Sequence, residues 1–346
     1  MTDWSVIIKR AVRARRTGPA RESTRGAPGF AGPAGGTGAD QGDGEAGEMA
    51  RRLMAIGNPA AGGDDDETRQ AVLRTLESEA DVVAPVVAAP GDVDRVLARH
   101  PGRDPVVLGG DGTLHAVLAA LFARGELADR PVGLVPMGTG NDLARSLGLP
   151  LDPEKAALLV LRGTERPLDL LVDDEGGIVM NAVHVGVGAL ASQQAAPLKP
   201  VLRRAAYSAG ALLAGIRSRG WRLRVRADGV VVASGRRRVL MVGVGNGATI
   251  GGGTPLAPDA CPDDGLADVV VSFAVSPWAR LAYGLRMRRG EHLERGDVVT
   301  VKASSVVIEG EPVPANADGE LLPAAPVRSW TVRPGAWRLI APDDGA

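Results

Sequence analysis

The run Val106-Val107-Leu108-Gly109-Gly110-Asp111-Gly112-Thr113-Leu114 sets a carboxylate inside a glycine turn, between an apolar strand and a helix. Gly109, Gly110 and Gly112 carry no Cβ, so their N–H groups can come close to oxygen atoms. A helix N-terminus adds partial positive charge. Both properties suit phosphate. Thr113 is placed to cap the helix. Asp111 would repel a bare phosphate; it fits if it binds the Mg²⁺ that accompanies ATP, or if it takes the proton of an attacking hydroxyl. The turn is not a P-loop, whose Lys-Ser/Thr ending is missing, nor a dinucleotide fingerprint, whose glycine spacing differs.

Two further loops have the same character. Met137-Gly138-Thr139-Gly140-Asn141-Asp142-Leu143-Ala144-Arg145 again follows a strand and opens a helix, and Gly57-Asn58-Pro59-Ala60-Ala61-Gly62-Gly63 follows the first strand. In a parallel sheet all of these turns lie at the carboxyl edge, where ligands bind. Two acidic turns stand outside this set: Asp263-Asp264-Gly265 and Asp318-Gly319-Glu320. By residue type alone each reads first as a solvated turn. Asp318 and Glu320 would share a face if extended.

These loops need elements to position them. Strands are expected at residues 53–56, 82–87, 106–108 and 132–136, and helices at 68–80, 93–99, 114–124 and 142–147. Alternating strands and helices imply a parallel sheet with helices on its faces. Near residue 168 the pattern changes to short β-rich runs, at 178–187, 222–232, 239–244, 267–273, 298–308 and 329–333. Helices are expected there only at 200–218 and near 278–289. The expected fold class is α/β in two domains. A Rossmann-like nucleotide domain spans 51–168 and a β-sandwich-like acceptor domain spans 169–326. Residues 1–50, rich in Gly, Ala, Pro and Arg, read as a disordered leader.

Composition bounds the rest. The 346 residues support more than one core, and 45% hydrophobic with 23% charged is ordinary for a globular chain. A net charge of −1 and 3% aromatics argue against nucleic acid as a partner. The single cysteine, Cys261, permits no internal disulfide, which fits a reducing compartment. No secretory signal is seen, and the apolar stretch 205–216 is too short to cross a bilayer, so a cytoplasmic location is expected. Basic residues around that stretch (Lys199, Arg203, Arg204, Arg217, Arg219), together with Arg286, Arg288 and Arg289, suit transient contact with a membrane surface.

Taken together and in order, the motifs resemble the diacylglycerol kinase catalytic-domain family of bacterial lipid kinases, relatives of sphingosine and ceramide kinases. Asn58 to Gly62, Gly109 to Thr113 and Gly138 to Arg145 look like its nucleotide loops. The stretch from Pro258 to Val269, Ala317-Asp318-Gly319-Glu320 and Pro334-Gly335-Ala336 match later family motifs. The glycine-aspartate turn by itself is shared with NAD kinases.

The resemblance implies an ATP- and Mg²⁺-dependent lipid kinase. Its acceptor would be the hydroxyl of diacylglycerol or a similar lipid, and it would serve phospholipid metabolism. Asn58, Gly62, Gly109, Gly110, Gly112, Thr113, Gly138, Thr139 and Asn141 would form the nucleotide site. Asp111, Asp142 and Asp169 would organise the catalytic Mg²⁺ through water. Asp318 would be the general base, with Glu320 beside it. Asp263 and Asp264 would hold a second, structural Mg²⁺. The final segment, 327–346, would return to the first domain, and a homodimer is compatible with the family. Alternatives are a kinase of the same fold acting on NAD or a soluble metabolite, and a non-catalytic nucleotide-binding regulator. Two positions depart from the family pattern. His115 and Ala116 stand where an Asn-Glu pair is usual, and Leu190 stands where an acid is expected.

Overall fold

The computed structural model describes residues 51–57, 66–87, 90–195 and 219–343. Expectations for the 1–50 leader, for Asn58 and Gly62, for the helix at 200–218 and for the basic residues from Lys199 to Arg217 lie outside these.

The first domain opens with strand β1 (Arg52–Ile56), helix α1 (Asp66–Glu77), β2 (Asp81–Val83), α2 (Pro90–Arg99), β3 (Asp104–Gly109), α3 (Asp111–Arg124), β4 (Gly133–Pro136), α4 (Asp142–Ser146) and α5 (Pro153–Arg162). The strands make a parallel sheet in the order β2-β1-β3-β4. The order of strand addition reverses between β1 and β3, and this switch point is where an open α/β sheet leaves a crevice at its carboxyl edge. The strands are continuous apolar runs because helices cover both faces, which bury Met54, Ile56 and Val107 on one side and Leu53, Ala55 and Val106 on the other. Helix α5 is held by Asp152, whose carboxylate accepts from the Lys155 amide at 3.0 Å, with Pro153 at the first helical position.

The second domain is a 10-stranded, largely antiparallel sheet. It comprises β5 (Thr164–Asp173), β6 (Ile178–Val179), β7 (Ala182–Gly186), β8 (Leu223–Ala227), β9 (Val230–Ser234), β10 (Met241–Gly245), β13 (Ala267–Ser272), β14 (Val298–Ala303), β15 (Ser305–Ala317) and β16 (Glu320–Ala341). A separate two-stranded piece, β11 (Thr249–Ile250) with β12 (Thr254–Pro255), forms a glycine hairpin. Helix α6 (Val187–Ala195) follows β7, and α7 (Pro277–Met287) precedes β14. No described helix is long and apolar enough to cross a membrane.

Several elements differ from the sequence reading for local reasons. Pro85 stops β2 at Val83 instead of residue 87. The run 298–308 divides at Ser304, whose amide and hydroxyl bond the Asp228 carboxylate. The change of sheet comes at Thr164, because charged Glu165 and Arg166 with Pro167 hide the start of β5. Strand β16 runs on well past residue 333. Its first half pairs with β15 and its second half, from Trp330 to Ala341, with β5; near its end Leu339 bridges Val132, just before β4. Trp337, Leu339 and Ala341 are thereby buried in the same cluster as Leu114, Leu134 and Leu143 of the first domain.

His184 sits on β7, wholly buried, and burial pushes its imidazole down to about 4. An unfolded histidine titrates near 6.5, so between 6.5 and about 4 the unfolded chain binds the extra proton and stability falls as pH drops. The effect at full protonation is roughly 3 kcal/mol. His184→Asn removes this slope. In urea unfolding, the stability gap between wild type and variant is expected to narrow from pH 7 to 4.5; parallel curves would show that His184 contributes no acid sensitivity.

Candidate active site

Two glycine loops close on each other at the carboxyl edge of β3 and β4. A Cβ built on Gly138 would stand 2.5 Å from the Gly110 Cα, and one on Gly110 would stand 3.0 Å from the Gly138 Cα. Only hydrogen at both positions allows this approach. The Met137 amide donates to the Gly109 carbonyl at 3.0 Å, which fixes the register between the loops. Asn141 adopts φ 51°, and its side chain closes its own loop: Oδ1 accepts from the Gly138 amide and Nδ2 donates to the Gly138 carbonyl at 2.9 Å. Asn141 thus shapes the loop from within. Gly57, at the end of β1, lies against β3, with its Cβ position 2.9 Å from the Leu108 carbonyl oxygen.

The residue before α3 is Gly110, with extended backbone and no side-chain cap. Thr113 lies within the first turn and does not cap it; its Oγ1 is 2.8 Å from the position a Gly109 Cβ would take. Gly112 has nothing within 4 Å of its Cβ position and faces open space at the helix N-terminus. Thr139 is exposed on the neighbouring loop.

Asp111 does not point away from protein. Its carboxylate accepts from the amides of Asp142 at 2.9 Å and Leu143 at 3.3 Å, and so caps the start of α4. Asp142 in turn reaches the second domain. Its carboxylate accepts from the Gly252 amide at 2.9 Å, the Gly253 amide at 2.8 Å and the Thr249 hydroxyl at 3.0 Å, all on the β11–β12 hairpin. The two carboxylates meet beside Gly140, whose Cβ position is 3.2 Å from Asp111 Oδ2 and 3.6 Å from Asp142 Oδ2. Burial raises the Asp111 carboxyl above its ordinary range, and the Asp142 charge adds to the rise against the pull of the capping amides. A divalent cation would relieve that repulsion.

Asp318 heads the turn between β15 and β16, with φ 46°. Its carboxylate gathers three consecutive amides: Met180 at 2.7 Å, Asn181 at 3.1 Å and Ala182 at 3.0 Å. Burial raises its pKa, while the positive charge of His115 and the three amides lower it. His115 stands one turn after Asp111 on α3 and contacts the Ile178 carbonyl through Nε2 at 3.0 Å. Glu320 is paired with Ala317 across the same turn. Beside it, α6 and the two hairpin strands border a half-open cavity of about 380 Å³ lined by Leu190, Pro314, Leu321, Leu322, Pro323 and Ala324.

The remaining acids take other partners. Both carboxylate oxygens of Asp169 accept amides, from Gly265 at 2.6 Å and Gly335 at 2.8 Å, so this residue ties turns of the second domain together. Asp263 and Asp264 diverge. Asp263 pairs with Arg166 at 2.6 Å and Asp264 with Lys302 at 2.6 Å. Burial opposes it, but the Cys261 thiol and Arg166 hold the Asp263 carboxyl below its ordinary range. Among the described residues no three His, Cys, Asp or Glu side chains converge on a cation. A cation at the loop edge would therefore rest on Asp111 and Asp142, with phosphate oxygens and water completing its shell.

Sequence reasoning gave no role to Asn181, Asn246 or the Gly251-Gly252-Gly253 run. Asn181 Nδ2 donates to the Thr249 carbonyl at 2.7 Å, and Asn246 Nδ2 to the carbonyls of Met180 at 2.8 Å and Asp169 at 3.1 Å. These amides connect the Asp142 hairpin to the Asp318 clamp. The glycine run was visible as a loop, but nothing in its residue types names Asp142 as its partner.

A parallel α/β domain with paired glycine loops, joined to an antiparallel domain that supplies a clamped acid, defines a two-domain α/β and β-sandwich-like class. Residues 52–172 match the model of the diacylglycerol kinase catalytic domain, and residues 181–341 match that of the YegS C-terminal NAD kinase beta sandwich-like domain. A Pseudomonas aeruginosa protein named "Probable lipid kinase YegS-like" is 34% identical over 304 residues, covering 84% of this chain and 94% of that protein. A Mycobacterium tuberculosis "Diacylglycerol kinase" is 29% identical over 306 residues, covering 85% and 96%. A crystal structure of a diacylglycerol kinase from Bacillus anthracis superposes with TM-score 0.63 at 22% identity, covering 85% and 98%, and shares the fold. The chain belongs to the diacylglycerol kinase catalytic-domain family.

The glycine contact yields a test. Gly138→Ala drives a methyl group against Gly110 and is expected to lower stability by about 1–3 kcal/mol in urea unfolding. Gly112→Ala, which meets nothing, is expected to leave stability equal or slightly higher. Equal effects of the two would mean that the loops do not depend on close approach.

Proposed function

We propose that this chain transfers the γ-phosphoryl group of ATP to the hydroxyl of diacylglycerol or a closely similar lipid, giving the lipid phosphate and ADP. One juxtaposition carries the reading: a glycine cradle with paired carboxylates lies at the edge of the first domain, and a cavity lined by leucine, proline and alanine lies in the second, on the strands that flank the Asp318 turn.

The N-terminus of α3 and the loop 138–141 present amide groups and partial positive charge to the phosphates. Asp111 and Asp142 would hold Mg²⁺ beside Gly140, and that ion supplies neutralisation of phosphate charge. The acceptor hydroxyl oxygen forms a bond to the γ-phosphorus as the bridge to the β-phosphate breaks, and the hydroxyl proton passes to the Asp318 carboxylate. Three amides fix this carboxylate in place, and one Oδ2 lone pair remains for the proton. Its raised pKa brings proton affinity closer to the working pH. Leu190, in the place of an expected acid, adds apolar surface to the cavity and favours acyl chains over a polar acceptor.

The decisive experiment supplies labelled ATP with diacylglycerol in mixed micelles, with NAD, and with a soluble metabolite extract. Label is expected in the lipid; label only in NAD or in a water-soluble product would replace this reading. Asp318→Asn is expected to lower kcat by about 10²–10⁴. The acid limb of wild-type kcat/KM is expected above the ordinary aspartate range, since activity needs Asp318 ionised and burial raises its pKa. An unchanged rate in Asp318→Asn would remove the base assignment.

A further inference from the structure

Helix α7 has two apolar faces, and the described residues leave one of them largely exposed. Ala279, Tyr283 and Met287 recur every fourth residue and pack inward against Leu240, Met241 and Leu256. Trp278, Leu281 and Leu285 recur at the i, i+3, i+7 positions of another stripe and are 82%, 41% and 58% exposed. An 82% exposed tryptophan is unusual on a surface that otherwise buries Trp330 and Trp337 completely. The stripe is bounded on one side by charge of a single sign: Arg286, Arg288 and Arg289 are exposed at the C-terminal end, and the helix itself contains no acidic residue. Glu291 and Glu294 come only after the left-handed Gly290 turn.

We propose that this face of α7 docks on an anionic lipid surface, with Trp278, Leu281 and Leu285 in the interfacial layer and Arg286, Arg288 and Arg289 against lipid phosphates. Tryptophan suits the interface because its ring is apolar and its N–H stays wet. Apolar burial and attraction of arginine to anionic headgroups act together in such helices. Charge decides between this occupant and a second copy of the chain. Two α7 helices packed parallel would bring arginine against arginine. Packed antiparallel, each arginine cluster would face the positively polarised N-terminus of its neighbour, whose first turn carries no acid. Neither arrangement supplies countercharge; an anionic headgroup does.

The inward face explains why docking here bears on the site. The cluster that seats Tyr283 and Met287 also holds Ala182, Val187 and Ile250. Ala182 lends one of the amides that clamp Asp318, and Ile250 belongs to the hairpin gripped by Asp142. The docking surface rests on its own residues and would stand even if the acceptor were not diacylglycerol.

The test is flotation of the full chain with phosphatidylcholine vesicles, with and without phosphatidylglycerol and free of any acceptor. Wild type is expected to float with the anionic vesicles. Trp278→Ser with Leu285→Ser is expected to weaken binding at least tenfold at all salt concentrations. Arg286→Gln, Arg288→Gln and Arg289→Gln together are expected to erase the preference for anionic lipid, at about fivefold per arginine. Both variants change exposed residues and are expected to keep the wild-type melting temperature. They are also expected to keep the wild-type rate on a short-chain acceptor dispersed in detergent. Unchanged flotation of both variants, or a wild type that ignores anionic vesicles, would overturn the proposal. So would light scattering that shows a wild-type dimer split by the Trp278 variant with flotation intact. Flotation without lipid phosphorylation would keep the docking surface and reject the diacylglycerol reading.

Discussion

A carboxylate that caps a helix, whose first residue is itself a carboxylate gripping another domain, is the constraint on which this molecule depends. Asp111 belongs to the start of α3 and binds the first amides of α4. Asp142, the first residue of α4, binds the amides and hydroxyl of the β11–β12 hairpin. Neither bond pattern is optional once the acids are buried, because an unpartnered buried carboxylate is costly. The two links therefore fix the order of loop, helix and hairpin in space. From the hairpin the chain of bonds continues through Asn181 to Asp318, and His115 on α3 returns it to the first domain. Polar contacts thus run across the junction from both domains.

The two sides of the junction are built from opposite materials. On the nucleotide side, Gly110 and Gly138 bring no side chain of their own to the place where the loops meet, so backbone dipoles act at close range. On the acceptor side, proline and leucine line the cavity, and the Asp318 carboxylate is held by three main-chain amides. Rigid positioning is what phosphoryl transfer asks of a protein. Left-handed backbone at Asn141 and Asp318 marks the same demand, since neither conformation would persist without the bonds each side chain makes to its surroundings.

The nucleotide half was legible in the sequence because its signals are local. Apolar runs ending in glycine mark β3 and β4, and the strand-to-helix alternation up to residue 147 needs no long-range information. Helix α5 was passed over although Asp152 and Pro153 announce its start. The acids were harder to read. Asp111, Asp142, Asp169, Asp263 and Asp264 look alike in a sequence, and their different tasks arise from residues far away along the chain. Gly335 lies 166 positions from Asp169, and Gly252 lies 110 positions from Asp142. The stripe on α7 was half visible: its arginines stood out as charge, while Trp278, Leu281 and Leu285 could not be told from core until the inward face was known.

The return of β16 to Val132 has a meaning for how the chain is made. Synthesis is vectorial, and domains often complete themselves as they emerge. Here the cluster that surrounds Leu114, Leu134 and Leu143 also contains Trp337, Leu339 and Ala341. The first domain, made before the second, thus keeps an open seam until Trp337, Leu339 and Ala341 arrive. Its completion is tied to that of its neighbour, whose longest strand supplies those residues.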